Sequence, residues 1–198
     1  LGYIPEPWKQ RVAAACAGWQ RSHYGWDVDP SIIRVVPDVL EAYEIFLREL
    51  VGAGNSVIVP TPAYMPFLSV PKLYDVDVIE IEMLQSGDAE TGEAQWVFDF
   101  DAIERAFAAG CHAFVLCNPH NPIGKVLTLE EELRLSDLAA QYDVRIFNDE
   151  IHAPFVFEGK HIPFPTISEQ AALQSMTATS ASKSFNIPGT KCAQVLLT

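Results

Sequence analysis

Residues 180–191, reading SASKSFNIPGTK, hold the side chains that covalent chemistry on a carbonyl group needs. Lys183, set among small hydroxylated residues, can supply the amine of a Schiff base. Lys191, eight positions on, and Ser180 ahead of it can hold an anion such as a phosphate beside that amine. Serine and lysine also share ordinary solvated loops, so the stretch has a reading without chemistry. What decides between the two is the company it keeps.

Two further polar clusters stand behind short apolar runs. NPHNPIG at 118–124 follows the run 113–117, and NDEIH at 148–152 follows the run 144–147. Continuous apolar runs of this length suit strands covered on both faces. The segment 175–179, just before the lysine stretch, has strand-like composition too. In open parallel sheets ligands collect beyond the carboxyl ends of the strands, and all three clusters fall at such ends. An acid delivered by a buried strand is costly unless a cation meets it, so Asp149 calls for a partner. A pyridinium nitrogen would serve.

The elements that must position these clusters follow from periodicity and stop signals. Helical spacing predicts a helix over 6–21, with Pro5 and Pro7 at its start, and another from Val39 to about Leu50 with Asp38 as N-cap, ending near Gly52 and Gly54. Further helices are expected over 63–70, to Ala109 from a cap at Asp99 or Asp101, and from the capping-box pair Thr128 and Glu131 to about Tyr142. Strands are expected at 32–36, 56–59, 75–82, 113–117, 144–147, 175–179 and 192–197, and a solvated loop at 85–95. Strands alternating with helices predict a three-layer α/β/α fold with a mostly parallel sheet.

Composition narrows the function. Thirteen basic residues against 26 acidic ones give a formal charge of −13, which repels nucleic acid and anionic membranes. No apolar run approaches the roughly 20 residues of a membrane span, and no basic segment followed by an apolar one marks a signal peptide at the start. The start also lacks a methionine, so a leader is not excluded. Cys16, Cys111, Cys117 and Cys192 show no CxxC spacing and sit among apolar neighbours, which makes a cytoplasmic origin the default. His120, Asp149, His152 and His161 form no pair at metal-ligand spacing.

Taken in order, PDV at 37–39, TPAYMPF at 61–67, NPHNPIGK at 118–125, NDEIH at 148–152 and SASKSFNIPGTK resemble the fold-type I aminotransferases that depend on pyridoxal phosphate, in particular the MalY/PatB branch of cystathionine β-lyases. The resemblance covers essentially the whole chain. It implies that Lys183 binds the cofactor covalently and then removes the substrate Cα proton, and that Asp149 keeps the pyridine nitrogen protonated. It implies that Asn121 donates to the ring hydroxyl oxygen, with His152 near the same oxygen, and that Tyr64 stacks on the ring. The backbone of Val39 and Leu40 would meet the phosphate together with Ser180 and Lys191, and Tyr3 would reach a partner's phosphate across a homodimer interface.

The chain departs from the family pattern in two places: Asp38 stands where many relatives have glycine, and Lys191 where the wider fold type has arginine. A carboxylate beside the phosphate weakens an anion site unless it points away as a cap. The resemblance further implies that residues 1–198 are a cofactor-binding large domain, with an N-terminal arm and a small C-terminal domain that binds the substrate carboxylate lying outside them. The expected activity is α,β-elimination at a C–S bond of an amino acid. Transamination is the alternative, and a regulatory or binding module with the same fold is the second. Read singly, Tyr64 is also an ordinary half-buried aromatic, Asn121 a turn residue before proline, Asp149 a partner for a core arginine or a helix cap, and His152 a core imidazole.

Overall fold

In the computed structural model, which describes residues 4–87 and 95–197, the chain runs α1 (Glu6–Tyr24), β1 (Ile33–Val36), α2 (Val39–Phe46), β2 (Ser56–Thr61), α3 (Met65–Ser69), β3 (Asp77–Glu82), β4 (Leu84–Ser86) and β5 (Gln95–Val97). It continues through α4 (Phe100–Ala108), β6 (Ala113–Cys117), α5 (Leu129–Tyr142), β7 (Arg145–Asp149), α6 (Glu169–Gln174), β8 (Ser175–Thr179) and β9 (Ala193–Leu197). Seven strands form one sheet in the order β1-β9-β8-β7-β6-β2-β3. The pairs from β8 across to β3 are parallel, whereas β9 runs antiparallel to both β8 and β1. The mostly parallel sheet is as expected. Its one reversal has a local cause: residues 180–192 fold back over the strand ends without a crossover helix, and a return without a crossover is antiparallel.

The sheet is covered on both sides. Every residue of β6 is buried; Val115 and Cys117 face the layer built by α2, while Phe114 and Leu116 face the layer of α4, α5 and α6. Helix α1 closes a smaller cluster in which Ala13 and Ala17 meet Ile33 of β1 and Leu196 of β9. Tyr43, Phe46, Phe67 and Phe147 pack ring against ring under α2, which anchors the second half of that helix on the sheet. Among the described residues no helix is long and apolar enough to cross a membrane. All four cysteines are free thiols; Cys111 and Cys117 are buried, and Cys16 and Cys192 are half-buried.

Local boundaries differ from the sequence reading where side-chain or backbone chemistry takes over. Helix α1 runs on to Tyr24, because its stop is Gly25 in the left-handed conformation at φ 73 and nothing before it breaks a helix. Helix α3 covers less than 63–70, with Tyr64 as the residue before its first turn. Strand β3 starts at Asp77, after Asp75 ends a tight turn with φ 55. Asp99, not Asp101, caps α4 by accepting from the Ala102 amide at 2.9 Å. The ends of the expected 85–95 loop pair as the β4–β5 ribbon, a backbone ladder with an exposed β4 and half-buried Trp96 and Val97 that no apolar alternation announces. The capping box at Thr128 and Glu131 forms as expected.

Strand β7 runs two residues past 147 and takes in Asn148 and Asp149, which pair with Leu116 and Cys117 of β6. A polar group buried that deeply must find partners, and here the partners tie down loops. Asn148 Nδ2 donates to Glu150 Oε1 at 2.7 Å and to Thr177 Oγ1 at 3.1 Å. The Phe164 amide donates to Glu150 Oε1 at 3.0 Å, and His161 Nε2 lies 3.2 Å from Glu150 Oε2. Asn118 accepts from the Leu127 amide at 3.1 Å and donates to Glu132 Oε1 at 2.6 Å. The loops 118–127 and 150–164 are thereby each closed by a buried side chain.

Burial first, then the charges of Glu150 and Glu131, push the Glu132 carboxyl up to about 9. The folded chain then holds a proton that the unfolded chain gives up near its ordinary 4.5. The stability this group contributes is complete below that lower value and is lost progressively as pH rises through the folded one. Glu132→Gln removes the decline. Its urea midpoint is expected to exceed the parent's at pH 8, with the gap closing as pH falls, in paired denaturation curves.

Candidate cofactor site

The carboxyl ends of β6, β7 and β8 and the first turn of α2 surround a cavity of about 210 Å³. Its wall includes Val39, Leu40, Tyr64, Asn121, Asp149, His152, Ser180, Lys183 and Lys191, residues that the sequence places far apart. Tyr3 lies outside the described residues. Asp38, Cys117, Ile151 and Ser182 also line the cavity. Cys117 and Ile151 are recognisable as core residues, but nothing in their local sequence marks them as its floor.

Asp149 forms the deep end. It is 5% exposed, and its Oδ1 accepts from the Ile151 amide at 3.0 Å. Among the described residues no ion pair reaches it. Burial pushes its carboxyl up to about 7; the Ile151 amide opposes that, the Glu150 charge adds to it, and the Lys183 charge opposes it. His152 is half-buried, and burial, then the Lys183 charge, hold its imidazole below the usual value, so it is neutral at physiological pH. Lys183 itself is exposed, on the loop that leaves β8. The Tyr64 ring, 37% exposed, is braced edge-on by Phe67 at 5.6 Å between centroids. His120 Nε2 lies 2.9 Å from the Pro62 carbonyl, which couples the loop carrying Tyr64 to the loop carrying Asn121.

The opposite end is arranged differently from the expectation. Asp38 does cap α2, accepting from the Glu41 amide at 2.9 Å, but it does not point away: its other oxygen pairs with Lys191 Nζ. The Ser180 hydroxyl is committed as well, donating to the Cys192 carbonyl at 2.8 Å and accepting from the Ser182 amide at 3.1 Å. It staples the lysine loop to the start of β9. What remains for an anion is the N-terminus of α2, whose helix dipole favours negative charge, with Ser182 alongside. The Asp38–Lys191 pair joins residues 153 positions apart, and no short-range pattern announces it.

The donor set suits one chemistry: an amine, a buried carboxylate, an aromatic face and an amide side chain around one ring-sized space, with backbone amides at the far end. A ligand with a protonatable ring nitrogen and an anionic tail matches both poles. A buried carboxylate of this kind, held by one amide, is relieved when a cation is brought to it.

The fold and this site define a three-layer α/β/α protein of the kind that binds a pyridine cofactor at the carboxyl edge of its sheet. The chain belongs to the aminotransferase class I and II family, whose sequence profile matches residues 6–198. It is 38% identical over 195 residues to a cystathionine β-lyase of Corynebacterium glutamicum, covering 98% of this chain and 49% of that protein. It is 30% identical over 190 residues to the cystathionine β-lyase PatB of Bacillus subtilis, covering 95% of this chain and 48% of that one. Its fold superposes on cystalysin from Treponema denticola, a structure that contains pyridoxal 5′-phosphate, with a TM-score of 0.90 and 29% identity over all of this chain and 49% of that one. The chain thus spans about half the length of these relatives.

Without a ligand, ionised Asp149 is a burden to the fold. Its stabilising contribution is complete below the ordinary 3.8 and is lost as pH rises through about 7. Asp149→Asn is expected to melt several degrees above the parent at pH 8 and together with it in acid, by calorimetry. Added pyridoxal phosphate is expected to raise the parent's Tm and to raise the variant's much less.

Proposed function

We propose that the protein carrying these residues is a pyridoxal phosphate enzyme that breaks a C–S bond of an amino acid such as cystathionine or a cysteine conjugate, releasing pyruvate, ammonia and a thiol. The observation that carries the reading is the convergence of Lys183 and Asp149 on one small cavity, Asp149 as the last residue of β7 and Lys183 from the loop beyond the adjacent parallel strand β8. When bound, pyridoxal phosphate supplies an electron sink for the charge left at the substrate Cα. Lys183 Nζ would hold the cofactor through its carbonyl carbon and, when free, is the base placed to take the substrate Cα proton. Asp149 keeps a proton on the ring nitrogen, because a cation facing its carboxylate reverses the effect of burial. Asn121 would offer its side-chain amide to the ring oxygen, with neutral His152 on the same wall, and Tyr64 would offer an aromatic face to the ring. The amides of Val39 and Leu40 would receive the phosphate, with Ser180 holding the lysine loop in place and Lys191 nearby.

The choice of C–S cleavage is supported by the two relatives named cystathionine β-lyase. Transamination shares the same first steps and residues, and the family's own description favours it as the second reading. Relatives of twice this length support a third element: residues 1–198 act as the cofactor-binding large domain, and the group that clamps the substrate carboxylate comes from chain beyond them. A homodimer completed by Tyr3 and a cytoplasmic site of action, in keeping with the four free thiols, belong to the same proposal.

The test is product analysis of the longer protein with cystathionine and pyridoxal phosphate. Stoichiometric pyruvate, ammonia and homocysteine are the expected outcome. Conversion only in the presence of an added keto acid, with no thiol released, would replace lyase by aminotransferase. The 198 residues alone are expected to turn over at least about 100-fold more slowly, since misplacing a substrate has that scale of cost. Lys183→Ala is expected to abolish pyruvate release in the longer protein.

A further inference from the structure

At the anionic end of the cavity, Lys191 leaves the turn Pro188–Thr190 with its backbone left-handed at φ 48, which aims its side chain back across the first turn of α2. It is met there by Asp38. One carboxylate oxygen of Asp38 takes the Lys191 ammonium and the other takes the Glu41 amide of α2. The carboxylate therefore engages Lys191 and part of the helix terminus that an incoming anion would use. Among the described residues Lys191 is the only lysine or arginine lining the cavity besides Lys183, so Asp38 cancels the fixed charge at this end.

We propose that Asp38 is an internal competitor for the cofactor's phosphate and sets how strongly this protein prefers pyridoxal phosphate to unphosphorylated pyridoxal. The proposal rests on the pyridoxal phosphate reading. Its physics is that of a weak lock. The Lys191 and Asp38 side chains are 63% and 39% exposed, and pairs so open to solvent contribute little. A phosphate dianion seated on the α2 amides displaces the pair, but it gives up part of its own attraction to do so and then sits beside a carboxylate. The Asp38 carboxyl is held below the usual carboxylate range chiefly by Lys191, so the competing charge persists at neutral pH.

Asp38→Asn and Asp38→Ser both keep a good N-cap while removing the charge. Dissociation constants for pyridoxal phosphate and for pyridoxal would be measured by equilibrium dialysis at low salt, alongside urea midpoints. Both variants are expected to bind pyridoxal phosphate about two- to fivefold more tightly, the scale of an exposed charge pair, with pyridoxal affinity unchanged. In a Lys191→Ala background the Asp38 substitutions are expected to gain less, as the coupling in a double-mutant cycle. Unchanged or weaker phosphate binding in two variants with parental urea midpoints would overturn the proposal and make Asp38 a residue that merely orients Lys191. Equal tightening of pyridoxal and its phosphate would overturn it too. If the parent binds neither compound, the cofactor reading fails and this proposal falls with it.

Discussion

The rest of the structure depends on a desolvated carboxylate. Asp149 ends a strand covered on both faces, accepts one amide hydrogen and faces a cavity, and burial, against the opposing Ile151 amide and with the Glu150 charge adding to it, pushes its carboxyl up to about 7. Such a group costs stability unless a ligand repays it, and natural sequences keep groups of this kind mainly where chemistry requires them. Around it the fold contributes position rather than charge. Parallel β6, β7 and β8 bring three loops to one edge, and the reversal at β9 folds the lysine loop over that edge instead of away from it.

The precision of those loops comes from buried side chains that never reach the cavity. Asn118 and Glu150 each pin the far end of the loop that follows them, through the amides of Leu127 and Phe164. His161 and Glu132 back them from behind. Asn121 and His152 ride on loops so closed, and Tyr64 is tied in through His120 and Phe67. The two poles of the cavity contrast with this rigidity in opposite ways. The ring end is deep and fixed, while the anionic end is open and held by an exposed ion pair that a ligand can exchange.

Most of the fold is legible in the sequence because its signals are local. The apolar run 113–117 is a strand buried on both faces, and Thr128 with Glu131 is a capping box. The gathering of Lys183, Asp149, Asn121, His152 and Tyr64 is also foreseeable, since strand ends in a parallel sheet share an edge. What escapes is whatever depends on pairing across the chain. The Asp38–Lys191 pair, the Glu150–His161 contact and the β4–β5 ribbon each join segments whose own composition says nothing of the partner. Ser180 shows the same limit: its position is foreseen, but its hydroxyl serves the backbone of Cys192 and Ser182. The end of β7 is set two residues short for a related reason, because the apolar run stops at Phe147 and Asn148 and Asp149 join the strand through buried partners that the run does not show.

The central claim is that this cavity holds pyridoxal phosphate through Lys183. The most direct measurement is to incubate the protein with pyridoxal phosphate, reduce with borohydride, and map the modified peptide by mass spectrometry. The account predicts a stoichiometric adduct on Lys183 that is lost when phosphate-bearing competitors are added in excess. An adduct spread over exposed lysines such as Lys160 and Lys72, with Lys183 unmodified, would contradict it.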